Sequence, residues 1–284
     1  MRARGIAGAL AATALLSVSG PAAAQQRPLV TEDPETVGEG LVLVEAGIDH
    51  DRDRRYVVSG LGGHLTSFPR LGISVGLSPI AEFQLDGMSI NRLQITRRVP
   101  APLSGMLQVD GDRAESFEDL VIGMKVRLVG ERTVLPGLGF RFATKLPNAG
   151  NEDGLGLDTT DFFGSLLAGK TIRSTRFVFN LGLAILGDPT RGDRQNTTPT
   201  YGFSVAHAIA RGVEIVGEMA GRTNVRRGAP PPGTESAGAA RLGGRITRGP
   251  VRLDAALLYG LSPNEGSVGA TVGFTWVFRA FTLQ

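Results

Sequence analysis

The side chains able to do chemistry fall into three groups: three histidines, a loose cluster of oxygen ligands, and a large set of charges spaced two apart along the chain. The histidines are His50, His64 and His207. A hydrolase would need one of them to meet a serine and an orienting polar group on one surface, and no spacing in the chain sets up that meeting. His50 and His64 fall beside or in a polar stretch at 51–66, where a solvated role is expected. His207 shares the parity of Tyr201, Phe203 and Val205, so it belongs to an apolar face near a short turn. The run from Asn148 to Gly154, with Asp158 and Asp161 beyond it, could offer oxygens to calcium. Its spacing does not match an EF-hand loop, and Asn, Asp and Gly are what exposed turns use anyway. Cysteine is absent, which removes thiolate metal sites, iron–sulfur clusters, disulfides and cysteine nucleophiles together. The reading is therefore of a chain that is not an enzyme and has no cofactor and no metal.

The charges are more informative because of where they alternate. Glu45, Glu82, Asp86, Asp119, Lys125, Arg127, Arg141, Lys145, Glu214, Glu218, Arg241, Arg245, Arg252 and Asp254 each sit at every-second positions opposite an apolar set. Ala81, Phe83 and Leu85 face away from Glu82, Gln84 and Asp86, while Leu120, Ile122, Met124, Val126 and Leu128 face away from Asp119, Lys125 and Arg127. A period of two is that of a strand with one apolar face. Twelve such segments are expected, at about 41–50, 67–77, 81–91, 117–129, 136–146, 159–170, 175–187, 198–209, 213–224, 237–248, 250–261 and 267–278. Short joints at 78–80, 171–174, 210–212 and 249 alternate with long polar stretches at 51–66, 92–116, 147–158, 188–197 and 225–236. The proline run Pro230-Pro231-Pro232 reads as a stiff, exposed loop tip.

Strands of this length, with short turns at one end and long loops at the other, are the pattern of an all-β, up-and-down antiparallel transmembrane barrel. In hydrocarbon every backbone N–H and C=O must be paired within the protein, which only helices and closed sheets achieve. Periodicity alone leaves open a soluble barrel with the apolar face inward. The polar face weighs against it, being built of Gly, Ser, Asn and Thr with charges of both signs, as suits a hydrated lumen. On the last segment Val268, Ala270, Val272, Phe274, Trp276 and Phe278 share a face and end in an aromatic cluster, which suits a membrane interface. Charges at membrane depth must be paired or hydrated. The fourteen inward candidates thus point to cross-strand ion pairs and a partly plugged rather than a wide pore.

Length and composition agree with this architecture. Of 284 residues 42% are hydrophobic and 20% charged, and glycine contributes 40 without a collagen period. Arg2 and Arg4, an apolar stretch from Ile6 to Val18 and Pro21-Ala22-Ala23-Ala24 form a secretory signal peptide over 1–24, which leaves 25–284 as the barrel. Removing Arg2 and Arg4 lowers Lys plus Arg from 30 to 28 against 27 acids, so the sequence does not argue for nucleic acid.

Several stretches carry a family resemblance: RPLVTEDPETVGEG at 27–40, then LVLVEAGIDH, GISVGLSPIAEFQL, DLVIGMKVRL, FRFATKLPN, FVFNLGLAIL, GVEIVGEMAG and the closing VRLDAALLYGLSPNEGSVGATVGFTWVF. In order and spacing they resemble the outer-membrane family described as meta-pathway phenol degradation proteins, or transporters. That resemblance implies a Gram-negative outer-membrane barrel, with outer-membrane lipid around it, passing small apolar or aromatic molecules. A non-conducting structural or adhesive barrel, binding partners through its loops, is the alternative. The sequence sets no oligomeric state.

Overall fold

The computed structural model describes residues 27–282. The signal-peptide segment lies outside the described residues. Among those described, thirteen strands follow one another: β1 (Leu41–Arg55), β2 (Leu61–Gly76), β3 (Ala81–Arg98), β4 (Arg113–Phe117), β5 (Val121–Val129), β6 (Gly137–Lys145), β7 (Asp161–Ile172), β8 (Thr175–Gly187), β9 (Gln195–Ala210), β10 (Val213–Arg222), β11 (Ala237–Arg248), β12 (Val251–Gly260) and β13 (Val268–Arg279). Each pairs antiparallel with its sequence neighbour, except that β4 and β5 both pair with β3 and not with each other, and β13 returns to pair with β1 from Leu41↔Arg279 to Asp51↔Gly269. The sheet is therefore a closed up-and-down barrel.

Twelve positions make the wall, because β4 and β5 share one. β4 pairs with the far half of β3 (Ile90↔Phe117) and β5 with its near half (Ala81↔Val126), so the two lie end to end. The break coincides with Gly87, whose φ of 86° is a left-handed conformation and whose missing Cβ makes room for the carbonyl oxygen of Asp119, 2.1 Å from where that Cβ would be.

The two faces follow the sequence alternation, and the apolar one is outside. Leu181 is 52% exposed, Leu166 60% and Leu257 65%, and the same parity around the wall exposes Phe142, Phe179, Phe203, Ile215, Val272 and Phe274. The opposite face buries charge: Glu82 and Lys125 have no solvent exposure at all. Trp276 and Phe278 stack at 4.3 Å between ring centroids, near the short-turn end of β13.

The first long loop differs from expectation. β1 and β2 run on to Arg55 and back from Leu61, joined by 56–60 only, so His50 and His64 stand on paired strands with their rings 6.5 Å apart. β3 likewise extends to Arg98. Beyond the apolar band a strand needs no apolar outer face, so alternation fades while the backbone pairing continues. Polar strand ends then read as loop.

The end with the long links is folded inward. Leu61, Leu65, Leu93, Ile95 and Ala114 form a buried cluster, onto which Tyr56, Leu107, Val109 and Leu155 pack from the connecting loops. The proline run is part of this cap rather than an exposed tip. Pro231 is fully buried, and its carbonyl accepts a 2.7 Å hydrogen bond from the Thr234 hydroxyl. His207 is exposed on β9, 2.9 Å from the Thr175 hydroxyl at the short-turn end.

Candidate functional site: the lumen and its N-terminal strap

The inner wall is first a set of cross-strand pairs fixed by register. Glu218 opposes Arg241 at 2.9 Å and Glu214 opposes Arg245 at 2.6 Å across β10 and β11. Glu82 opposes Lys125 at 2.9 Å across β3 and β5. Lys145, at the end of β6, binds Asp119 at 2.8 Å and Asp161 at 3.1 Å. Arg252 lies 3.9 Å from Glu214, and Asp86 lies 3.6 Å from Arg141.

One register step is unfavourable by itself. Lys125 on β5 stands directly opposite Arg141 on β6, and like charges so placed repel. The carboxylate that resolves it comes from outside the sheet: Glu32 accepts from Lys125 Nζ at 3.2 Å with one oxygen and contacts Arg141 Nε at 3.0 Å with the other.

Glu32 belongs to a strap, residues 27–40, that runs along the inner wall before β1 begins. Val37 N–H donates to Glu82 on β3 at 2.6 Å, and Glu35 pairs with Arg127 on β5 at 2.6 Å. Asp33 is held by two hydrogen bonds from the Arg176 guanidinium on β8. Asn180, also on β8, clasps the Glu32 backbone, accepting its N–H at 2.7 Å and donating to its carbonyl at 2.8 Å. Further on, Glu218 on β10 accepts from the Val30 and Thr31 N–H groups and from the Thr31 hydroxyl. Leu29 packs on Ala206 and Val216. The strap ends on β12, β13 and β1, where Arg27 lies 3.4 Å from Asp254, donates to Thr271 at 2.7 Å, and gives its backbone N–H to Glu45.

Local sequence explains the strap's shape. Pro34 fixes its own φ and keeps Asp33 extended, and Asp33 accepts the Glu35 N–H at 2.9 Å in a tight Asx turn. Close approach to the wall is allowed by glycine. Gly47 and Gly273 face each other across β1 and β13, and a Cβ on either would come within 2.3 Å of the Arg27 guanidinium. The charges are complementary as well: strap acids meet cations of β5, β6 and β8, and the strap arginine meets acids of β12 and β1.

At the short-turn end Glu131, in the link between β5 and β6, ties the strap's anchor down. It accepts from Thr171 N–H at 2.7 Å and from Arg176 at 2.8 Å, and Lys170 lies 3.3 Å away. Burial alone would raise its pKa, but these donors hold its carboxyl below the usual carboxylate range.

All fourteen alternating charges therefore lie among ion pairs or strap contacts on the inner side. The strap's own acids, Arg176, Asn180 and Gln84 were not among the sequence candidates. The signal for the strap acids was the bare run of cations on two adjacent strands, Lys125 and Arg127 beside Arg141 and Lys145, which needs carboxylates from elsewhere. No three His, Cys, Asp or Glu side chains among the described residues converge on a metal position. Asn148, considered as a calcium ligand, instead accepts the Leu120 N–H and donates to the Glu118 carbonyl.

No family model matches the sequence, and no curated protein matches it. Among solved structures, the fold is similar to the crystal structure of an outer-membrane channel from Pseudomonas putida F1, with a TM-score of 0.62 and 11% identity over 87% of this chain and 98% of that one. A looser likeness, at a TM-score of 0.48 and 11% identity, links it to the translocator domain of the autotransporter NalP from Neisseria meningitidis, over 86% of this chain and 90% of that one. At these identities the likeness speaks for the fold.

Proposed function

We propose that this chain is an outer-membrane barrel that passes small molecules, and that the strap holds it closed in the conformation described here. The observation that carries the membrane reading is the inversion of faces. Large apolar side chains stand exposed around the outer wall while Lys125, Glu82 and Asp254 are buried within it. A soluble barrel does the reverse, because an outer wall of this kind would stay exposed to water. The leader at 1–24 is the export signal in this reading, and 25–284 is the mature barrel.

Twelve strands enclose more space than eight, whose interior side chains nearly fill the barrel. The strap occupies that extra space. Its hinge is at Gly38 and Gly40, whose φ values of 98° and 71° suit glycine. The apolar cap at the long-link end, with Tyr56 packed on buried Leu61 and Leu93, supports apolar or aromatic cargo and with it membership of the phenol-degradation transporter family. The process is passive and needs no catalytic group.

A second reading, a non-conducting barrel that binds partners through its loops, is favoured by the strap and ion pairs that line the lumen from β3 to β12. Two measurements test both readings. The mature protein is expected in the outer-membrane fraction with heat-modifiable migration, and soluble periplasmic recovery refutes the membrane placement. Reconstituted protein lacking 27–37 is expected to conduct steadily. A tight bilayer with that variant leaves the non-conducting reading standing.

A further inference from the structure

The molecule carries a second site, on its outer wall rather than in the lumen. At the long-link end a cavity of 450 Å3 opens between the tips of β1–β3 and the link joining β12 to β13, with Arg55, Gly62, Thr96, Arg97, Tyr259 and Val268 in its lining. Register places Arg55 opposite Gly62 and Gly62 opposite Arg97. Two guanidinium side chains thus flank a residue that has none. A Cβ at Gly62 would sit 3.6 Å from Arg97 Cβ and 3.9 Å from Arg55 Cγ.

Both arginines are exposed, and neither forms an ion pair among the described residues. The acids nearby are already engaged. Glu265 binds Arg54, which also lines the cavity, and Asp53 accepts from the Ser267 hydroxyl at 3.0 Å. Two unneutralised cations on β1 and β3, with only Gly62 of β2 between them, repel each other, and an anion between them relieves that repulsion.

The level of the cavity narrows the choice of anion. Along β1 the outward positions pass from Ile48 to His50 and then Arg52, so the apolar band gives way to polar groups here. Tyr259 and Val268 are outward-facing and exposed, and they form the apolar side of the cavity. A tyrosine beside arginines at the edge of the apolar band is the composition of a membrane interface. A freely soluble anion has no use for the apolar wall, whereas an amphiphile uses both.

We propose that this cavity binds the phosphate group of an outer-leaflet lipid, the guanidinium groups of Arg55 and Arg97 taking the phosphate oxygens and Tyr259 and Val268 lying against the apolar part of the same molecule. Paired guanidinium–phosphate contacts are directional and charge-assisted, and basic pockets beside membrane-spanning segments hold lipid head groups in the same way. The proposal rests on the outer-membrane placement but is independent of whether the lumen conducts.

The test uses full-length, delipidated protein in detergent and native mass spectrometry. The probes are bisphosphorylated lipid A, the same glycolipid with its phosphates removed, and inorganic phosphate. The expected result is a bound lipid A that the dephosphorylated form replaces at least tenfold less well, and that millimolar inorganic phosphate does not displace. Arg55→Ala with Arg97→Ala is expected to weaken lipid A binding at least tenfold, while heat-modifiable migration stays as in the parent protein. Should that pair fail to fold, Arg55→Lys with Arg97→Lys keeps the charge but loses the forked donors, and a smaller loss is expected. Equal binding of the phosphorylated and dephosphorylated forms, displacement by inorganic phosphate, or no effect of either double variant overturns the proposal. Outer-membrane fractionation is read separately, so failure of the lipid site is distinguishable from failure of the placement.

Discussion

Glu32 is the residue whose loss should release the strap most selectively. Its carboxylate joins Lys125, which has no solvent exposure, and Arg141 at 3.2 and 3.0 Å, and it accepts from Gln84 at 3.3 Å. Removing one partner of a buried ion pair costs about 3–5 kcal/mol. The lower end applies here, because Lys125 keeps Glu82 at 2.9 Å and Arg141 keeps the Gln84 carbonyl oxygen at 2.6 Å. About 3 kcal/mol corresponds to roughly a hundredfold rise in the ratio of released to docked strap, at a factor of ten per 1.4 kcal/mol. The wall survives the change, since every strand pairing is untouched and Glu32 Nα–H still reaches Asn180. In planar bilayers, Glu32→Gln is therefore expected to open far more often than the parent at the same single-channel conductance. A double cycle with Lys125→Gln should show coupling, the second substitution adding less opening once the first is present. Glu32→Gln opening no more often than the parent, while the variant lacking 27–37 conducts, would refute the latch assigned to this carboxylate. A changed unitary conductance would instead mean that the lumen itself had been altered.

Leu181→Arg puts a charge on the outer wall, where the side chain is 52% exposed, and is expected to reduce stability by about 2–4 kcal/mol near the bilayer midplane, read from urea unfolding in vesicles. Asn180→Arg, one residue away, should leave the wall folded but free the Glu32 backbone and raise channel opening; equal stability loss at both sites would refute the assignment of faces. Gly192→Cys, in the open link 188–194, should be labelled by an impermeant thiol reagent on intact cells, whereas Arg211→Cys in the two-residue turn between β9 and β10 should not; labelling at Arg211 alone would invert the orientation. Asp188 is held below the ordinary aspartate value of 3.8 by hydrogen bonds from Thr190 and Arg194, which outweigh the opposing effect of burial. Its contribution is therefore present above that value and lost as pH falls through the depressed one, so proteolysis within 188–194 should increase only in strong acid, and an increase between pH 5 and 7 would contradict it.

The barrel was legible in the sequence because a wall with lipid on one side and water on the other imposes the same alternation on every strand. Ile122 and Lys125, or Leu253 and Asp254, separate by parity alone, and parity is a property of the strand and not of its partners. Strand ends were less legible for the complementary reason. Past Ile48 and Phe68 the outer wall leaves hydrocarbon, the constraint on the outward side chain is lifted, and Asp51–Arg55 reads as a loop although its backbone still pairs with β2.

The strap was illegible for a different reason. Residues 27–40 have no period, since an extended segment pressed on the inside of a barrel contacts whichever wall residue lies under it. Its placement follows from a mismatch elsewhere: Lys125 opposite Arg141 is a defect in a bare sheet and a binding site once Glu32 lies between them. A deep lumen cannot leave such a pair uncompensated, because at low local dielectric the repulsion is large and water is a poor substitute for a carboxylate. The same reasoning gives the strap its direction. Its acids and its arginine lie at opposite ends, matching the cationic strands β5, β6 and β8 and the acidic positions Asp254 and Asp49, so the reversed path would set like charges together at both ends. A chain with Arg27 exchanged for Glu and Glu32 for Arg should dock its strap poorly although composition and net charge are unchanged, and its conductance should approach that of the variant lacking the strap. Undiminished closure in that exchange would show that shape alone, and not charge order, seats the segment.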